Sequence, residues 1–255
     1  MGYVILALPL GLLAGAMLGT LGAGGSVLTV PALVYLLGQP VREATTAALV
    51  IVSANAAVGA AENARRGTID LRLAAGFGSA SILGALAGSY LNALARGELV
   101  LFLLALVMLG SAWSLWRGGP ERALAPRRGA VARVALVASL GLGVGVLTGF
   151  FGVGGGFLIV PALVMLLGVP VRLAIGTSLL IITITALAGL AGHLVGGGVS
   201  WPVTIAFGGA GMVGAWFGSR RAGHLSEETL GRAFAAMLLV VALFLLVENG
   251  AALVG

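Results

Sequence analysis

The sequence contains one motif twice, and this repeat limits the folds that are open to it. Residues 19–34 and 149–164 align without a gap when the chain is shifted by 130 positions, and the match extends to residue 89. From 19 to 89 there are 30 identities in 71 positions, including two Pro pairs and one Arg pair in the same register. Such a repeat indicates two copies of one structural unit that pack together.

The composition places both copies in a membrane. Hydrophobic residues make up 60% of the chain and charged residues only 9%, whereas soluble domains are roughly 25% charged. Runs such as Leu99–Leu109 and Phe234–Val247 are apolar on every face, which favours helices over a β-barrel with its alternating polar and apolar residues. The sequence therefore predicts an all-α polytopic membrane protein, and it excludes a soluble enzyme.

Each copy contains five apolar segments. This pattern predicts a first repeat at 1–117, a polar cytoplasmic linker at 118–130 and a second repeat at 131–255. An odd number of segments per copy would invert the two repeats relative to each other in the membrane. The segments lie at 3–20, 24–38, 43–63, 72–92 and 98–117, and at 131–149, 154–168, 173–195, 202–219 and 230–248.

The distribution of arginine supports this inverted arrangement. All fourteen basic residues are Arg; with the linker inside and every segment crossing, twelve are cytoplasmic and only Arg42 and Arg96 are outside. Parallel copies would give eight inside and six outside. Since basic residues collect in cytoplasmic loops, we expect both termini outside. The segments 24–38 and 154–168 are shorter than the roughly 20 residues of a spanning helix, so whether they cross or re-enter stays open.

These short second segments begin at a glycine cluster and contain a proline. Glycines at a helix start expose N–H groups that can hold an anion, and Pro31 and Pro161 predict a structural break in each segment. Paired broken helices are typical of the substrate site of a secondary transporter; the alternative is that the glycines only allow close packing. The clusters predict substrate contacts from Gly24, Gly25, Ser26, Gly154, Gly155 and Gly156.

Polar side chains in the third and eighth segments are expected to complete the site. Asn55 and Thr185 occupy equivalent positions near the middle of the membrane, and we expect them to face each other and to bind the anion's oxygens. Hydrogen bonds between packed helices are the alternative role. The other candidates in these two segments are Thr45, Thr177 and Ser178.

Two ionisable residues are candidates for coupling transport to an ion. Glu62 ends the third segment, where an ion pair with Arg65 or Arg66 is the alternative, and His193 ends the eighth, where an interfacial polar role is the alternative. With no Cys and two His, the chain predicts no metal site and no cofactor. No paired acidic residues lie within a segment, which argues against an intramembrane enzyme.

The glycine and proline motif at 22–33 and 152–163, followed each time by Leu-Gly-x-Pro-Val-Arg, resembles the TauE/SafE sulfite exporter family of membrane permeases. The resemblance implies export of sulfite, sulfoacetate or similar organosulfonates across a bacterial inner membrane, and it places Gly24, Gly25, Pro31, Gly154, Gly155 and Pro161 at the family's signature positions. We expect an alternating-access transporter; a passive anion channel, or a permease for another small anion such as a carboxylate, is the alternative. The expected partners are the anion and the lipid bilayer, without nucleic acid, and a homo-oligomer is left open.

Overall fold

The computed structural model describes residues 2–22, 24–116, 130–153, 156–193, 198–222 and 226–254. Its helices follow the ten predicted segments closely, and the prediction of an all-helical fold is confirmed. The helices are α1 (Gly2–Leu21), α2 (Gly24–Pro31), α3 (Val41–Arg65), α4 (Leu71–Leu94), α5 (Gly97–Trp116), α6 (Ala130–Phe151), α7 (Gly156–Pro161), α8 (Val171–His193), α9 (Trp201–Ala222) and α10 (Glu227–Val254).

Six of the described helices are long and apolar enough to cross a bilayer: α1, α3, α4, α6, α8 and α10. The outer surface carries large apolar side chains, such as Leu83 on α4 and Ile205 on α9, which are 66% and 67% exposed. In water such a surface would favour aggregation, whereas lipid chains cover it without cost. The chain is therefore a multi-pass membrane protein.

The two short second helices change type at their prolines. α2 ends at Pro31 and continues as the π-helical piece Ala32–Leu36, and α7 ends at Pro161 and continues as Ala162–Leu166. Because proline has no N–H, one ordinary helical hydrogen bond is missing there. A wider turn follows, in which the Leu37 N–H donates to the Ala32 carbonyl at 3.1 Å. Pro31 itself keeps helical angles (φ −57°, ψ −39°), so the helix widens at the break and does not unwind before it.

Glycines spaced four residues apart along one face of a helix, here called a glycine stripe, pack α1 against α9 and α6 against α4. A methyl group on any of three α1 glycines would clash with the α9 backbone, so the two helices are in direct backbone contact, as small residues allow in membranes. Three α6 glycines, at the positions 130 residues later, contact α4 in the same way. Gly11, Gly15 and Gly19 of α1 lie against Phe207, Gly211 and Ala215 of α9, and Gly141, Gly145 and Gly149 of α6 lie against Phe77, Ser81 and Ala85 of α4.

The directions of these helices divide most of the bundle into two groups. The contacts between α1 and α9 advance together along both helices, so this pair is parallel, and the same holds for α4 and α6. α3 runs parallel to α9, and α8 runs parallel to α4. We call α1, α3 and α9 the first group and α4, α6 and α8 the second group.

The two groups meet where α3 crosses α8 in the opposite direction. Gly59 near the end of α3 lies against Leu179 near the start of α8, and Gly189 near the end of α8 lies against Leu49 of α3. Since α1 and α3 point the same way, the segment between them must return the chain across the bundle. Its 13 helical residues span about 20 Å at 1.5 Å per residue, so whether it crosses the membrane fully or re-enters stays a prediction.

Candidate functional site

Two glycine turns end α1 and α6 and lead into the broken helices. Gly22 and Gly152 have φ angles of +73° and +67°, a left-handed conformation that strains other residues. Each closes the preceding helix, because the Gly22 N–H donates to the Leu18 carbonyl at 2.8 Å and the Gly152 N–H donates to the Thr148 carbonyl at 3.0 Å. The glycine requirement is therefore strict at the first glycine of each cluster.

Each glycine turn is inserted against the long helix of the other repeat. Gly22 lies against Ile175 and Ser178 of α8, and the Ser178 hydroxyl donates to the Gly22 carbonyl at 2.9 Å. Gly152 lies against Thr45 of α3, the position equivalent to Ile175. The polar backbone of each turn thus lies between the two groups of helices. The two places are related by the 130-residue repeat.

The remaining residues of the glycine clusters have different surroundings. Gly24 begins α2, and Ser26 in its first turn is fully buried. Gly25 contacts the α1 backbone at Ala14, where a side chain of any size would clash. At Gly25 the structure therefore shows the close packing that was the alternative interpretation of the glycine clusters. Gly154 and Gly155 lie outside the described residues, and Gly156 begins α7 and is buried.

Asn55 and Thr185 are both buried, but each has its contact on a helix of the opposite repeat. The Asn55 amide lies against Gly211 of α9. Thr185 on α8 lies 2.7 Å from the hydroxyl oxygen of Ser81 on α4 and donates to the Ile181 carbonyl at 2.8 Å. The structure thus brings Thr185 together with Ser81 and Asn55 with Gly211, and it shows no hydrogen bond between Asn55 and Thr185.

The other predicted hydroxyls bond to nearby backbone. The Thr45 hydroxyl donates to the Arg42 carbonyl at 2.9 Å within α3. The Thr177 hydroxyl accepts a hydrogen bond of 3.0 Å from the Asp70 N–H, which fixes the start of α4 against α8. Ser178 and Thr45 both contact a glycine turn, but of the three hydroxyls only that of Ser178 bonds to one, through the Gly22 carbonyl.

Glu62 joins α3 to α9 through arginine. Its carboxylate lies 3.1 Å from a nitrogen of Arg66, 3.4 Å from Arg220 on α9 and 3.9 Å from Arg65, while the Glu62 side chain is only 8% exposed. Arg66 also donates to the Ser219 carbonyl at 3.1 Å, at the end of α9. The ion pair that was the alternative role for Glu62 is therefore present, and it stabilises the first group of helices.

His193 joins α8 to α4 at the opposite end of the bundle. Its Nδ1 lies 3.0 Å from the Ser89 hydroxyl oxygen and 3.1 Å from the Gly189 carbonyl, and its Nε2 is buried without a partner in the described part of the chain. The Ser89 hydroxyl also bonds to the Gly189 carbonyl at 3.0 Å. This supports a structural polar role for Nδ1, and it leaves Nε2 available to a ligand or water.

Sequence reasoning missed Ser81, Gly211 and Ser89 as site neighbours. Ser81 and Gly211 occupy equivalent positions in the repeat, and Ser89 is equivalent to Ser219. The repeat register contains a signal for them, because an equivalent pair of small or polar residues in both copies indicates contact surfaces. Within the described ranges, no three His, Asp or Glu side chains are grouped closely enough to hold a metal ion.

The helix arrangement, with two broken helices held inside a bundle of apolar spans, defines a polytopic membrane protein of the transporter class. The chain belongs to the family of the sulfite exporter TauE/SafE, whose model matches residues 7–245. The chain is a membrane transporter and not an enzyme.

Two relatives illustrate this assignment. A "probable membrane transporter protein" of Xylella fastidiosa (strain Temecula1) is 35% identical over 250 residues, covering 95% of this chain and 94% of the relative. The "probable membrane transporter protein YunE" of Bacillus subtilis (strain 168) is 28% identical over 264 residues, covering 94% of each chain. No solved structure matches the chain significantly.

Proposed function

We propose that the protein is a secondary transporter that exports small sulfur oxyanions or organosulfonates, such as sulfite, by alternating access between two inverted repeats. The observation that carries the proposal is the reciprocal insertion of the glycine turns, Gly22 against Ser178 of α8 and Gly152 against Thr45 of α3. Polar backbone is tolerated at membrane depth when protein encloses it or when it lines a pathway. Two equivalent polar points beside the broken helices fit a substrate pathway.

The chemistry at these points suits a small oxyanion. The start of α2 supplies N–H groups and a partial positive charge, and the buried Ser26 lies in its first turn. The Ser178 hydroxyl can rotate from the Gly22 carbonyl to an arriving anion, because a hydroxyl proton turns freely about its C–O bond. Dipoles and hydroxyls without a guanidinium give moderate affinity, which allows release.

The two groups of helices supply the moving parts. Within each group, glycines bring backbones into contact, so α1 and α9, or α4 and α6, move as one body. Between the groups, α3 and α8 contact each other where the methyl groups of Leu179 lie against Gly59 and those of Leu49 lie against Gly189. Rocking about this crossing would expose the glycine turns to one side and then to the other.

Sulfite flux in proteoliposomes tests the proposal. We expect saturable efflux that external sulfite accelerates by counterflow, which a carrier shows and a passive channel does not. Competition by ethanesulfonate, sulfate and acetate then ranks the anions, and preference for acetate would favour a carboxylate permease. Flux that rises linearly with sulfite concentration and shows no counterflow would overturn alternating access.

A pair of serine variants links the flux to the glycine turn. Ser178→Ala removes the hydroxyl beside Gly22, and we expect a several-fold increase in KM for sulfite with the protein still folded. Ser139→Ala is the matched control, because the Ser139 hydroxyl lies on the exposed side of α6 and bonds within its own helix. Equal kinetics in both variants would remove Ser178 from the site.

A further inference from the structure

A cavity of about 310 Å³ lies at the end of the bundle that the arginine count places outside the cell. Its walls come from three consecutive helices of the first repeat: the first turn of α3, the last turn of α4 and the first turn of α5. Arg42, Asn92, Gly97 and Glu98 line it. Neither Gly22 nor Gly152 lines this cavity, and it contains a group that the glycine turns lack, a guanidinium.

Arg42 is a cavity-lining guanidinium that has no carboxylate within ion-pair distance in the described residues. It forms no ion pair with the part of the chain that the structure describes, in contrast with Arg66 and Arg220, which share Glu62. An unpaired guanidinium at the edge of a cavity presents five N–H donors and a full positive charge to an anion. Asn92 is 92% buried, and one amide hydrogen goes to the Phe150 carbonyl at 2.6 Å, so the second hydrogen is available.

The backbone adds further donors at the same place. α3 begins at Val41 and α5 begins at Gly97, and both residues line the cavity, so two helix starts contribute unpaired N–H groups and partial positive charge. Gln39, two residues before α3, is 93% buried, and neither its amide oxygen nor its amide nitrogen has a partner in the described residues. Gln39 does not itself line the cavity; it precedes Pro40, which does.

The second repeat does not reproduce this arrangement at the other end of the bundle. Ala222 stands at the position of Asn92, and Glu227 stands at the position of Gly97, so the first turn of α10 carries two carboxylates where α5 carries one. Two carboxylates neutralise a helix start and repel an anion. The residues at Asn92 and Gly97 are thus not repeated in the second copy, and this difference makes the two ends of the molecule unequal.

We propose that this cavity is an outer anion-binding site, which takes a small oxyanion or sulfonate on Arg42 and Asn92 after it leaves the glycine turns. The inference rests on the proposed function for its role in export. Glu98 lines the same cavity and repels the anion, which keeps the affinity low and favours release to the outside.

Charge-selective labelling tests the site without requiring transport. The chain has no native Cys, so Ala93→Cys, which lines the cavity and is exposed, reports on it alone. The purified protein in lipid nanodiscs is treated with an anionic or a cationic methanethiosulfonate reagent, and the two rates are compared. We expect preference for the anionic reagent and slower labelling in the presence of ethanesulfonate.

Two arginine variants identify the source of that preference. Arg42→Gln should lower the ratio of anionic to cationic rate about tenfold, as expected for one unit charge a few ångströms away in a partly hydrated site, and should abolish protection by ethanesulfonate. Arg96→Gln removes the same charge on the same face, but Arg96 does not line the cavity, so it should retain both effects.

The outcomes separate this site from the proposed function. Equal behaviour of Arg42→Gln and Arg96→Gln, or no protection by ethanesulfonate, overturns the outer site even if wild-type liposomes carry sulfite. Absent sulfite flux combined with Arg42-dependent protection overturns the transport proposal while it supports the anion site. Gel filtration of each variant confirms that the protein is folded before its rates are compared.

Discussion

Asn55 on α3 packs directly against Gly211 on α9, where a methyl group would clash with the Asn55 amide. The equivalent pair in the repeat, Thr185 and Ser81, lies 2.7 Å apart, so that one hydroxyl donates to the other, and the accepting hydroxyl can donate to a carbonyl of its own helix. The amide oxygen of Asn55, in contrast, is buried without a partner among the described residues. The two equivalent pairs therefore differ, since Thr185 is satisfied by the protein and Asn55 is not.

We predict that Asn55→Ala weakens sulfite binding several-fold and leaves thermal stability almost unchanged. Asn55 forms no hydrogen bond among the described residues, so its removal breaks none, whereas an oxyanion that accepts from the Asn55 Nδ2–H would lose that hydrogen bond. Titration calorimetry and thermal unfolding of the purified protein measure the two quantities. A clear loss of stability with unchanged affinity would falsify the site role of Asn55.

Thr185→Val is the matched experiment in the other repeat. It removes the hydroxyl that bridges α8 to Ser81 on α4 while it keeps the side-chain volume. We expect a loss of about 0.6 kcal/mol of stability, the average measured for hydrogen bonds between membrane helices, and at most about 1.7 kcal/mol, with little change in sulfite affinity. A large loss of affinity would return Thr185 to the substrate site.

We predict that Gly25→Leu prevents folding. A folded protein that has lost only anion binding is not the expected result. Gly25 contacts the α1 backbone at Ala14, and a leucine there would have to push α2 away from α1. Gly209→Ala is the control, because a methyl group at 209 would meet no atom within 4 Å. Gel filtration should show aggregation of the first variant only; a monodisperse Gly25→Leu protein would contradict the observed packing.

Much of the fold could be predicted from the sequence, because apolar runs and prolines act locally. The ten segments correspond to α1 to α10, and the prolines at 31 and 161 mark the change from α-helix to π-helix. The identity of the helix partners could not be predicted in this way. α1 packs on α9 of the other repeat because their glycines face each other, and a glycine stripe in one helix does not reveal which helix it contacts.

The candidate site was only partly predictable for the same reason. The repeat register identified Asn55 and Thr185 as equivalent, but equivalence does not require contact, and each residue lies against a different helix. A glycine cluster looks the same in sequence whether it packs a helix, as Gly25 does, or forms a turn, as Gly22 does. That Arg42 lines a cavity and forms no ion pair with the described residues becomes visible only when its neighbours are known.

We predict that Glu62→Gln lowers stability without changing the pH dependence of sulfite flux. The Glu62 carboxylate accepts charged hydrogen bonds from Arg66 and Arg220 and so joins α3 to α9. Loss of such bonds costs about 1.5 to 3 kcal/mol of stability. Thermal unfolding and flux between pH 5 and pH 8, roughly the range in which physiological groups titrate, measure the two effects.

Glu228→Gln provides the comparison for that experiment. Glu228 pairs with Arg232 at 2.6 Å, but both side chains are more than two thirds exposed. Exposed pairs contribute about 0 to 1 kcal/mol, so its unfolding temperature should change little. If Glu62→Gln shifted the pH profile of flux and left stability at the level of Glu228→Gln, Glu62 would be a coupling residue and the structural role would be wrong.

We predict that Arg65→Cys and Arg96→Cys react from opposite sides of the membrane. α4 lies between these positions, and its 24 residues span about 36 Å at 1.5 Å per residue, enough to cross a hydrocarbon core of about 30 Å.

The arginine count predicts which of the two positions is cytoplasmic. Removing Arg65 leaves eleven cytoplasmic arginines against two, and removing Arg96 leaves twelve against one, so neither substitution should reverse the orientation. Intact cells treated with an impermeant maleimide should therefore label Arg96→Cys at once and Arg65→Cys only after the membrane is permeabilised. Labelling of both in intact cells would show that α4 does not cross, whereas the reverse order would place the linker outside and overturn the export direction of the outer anion site.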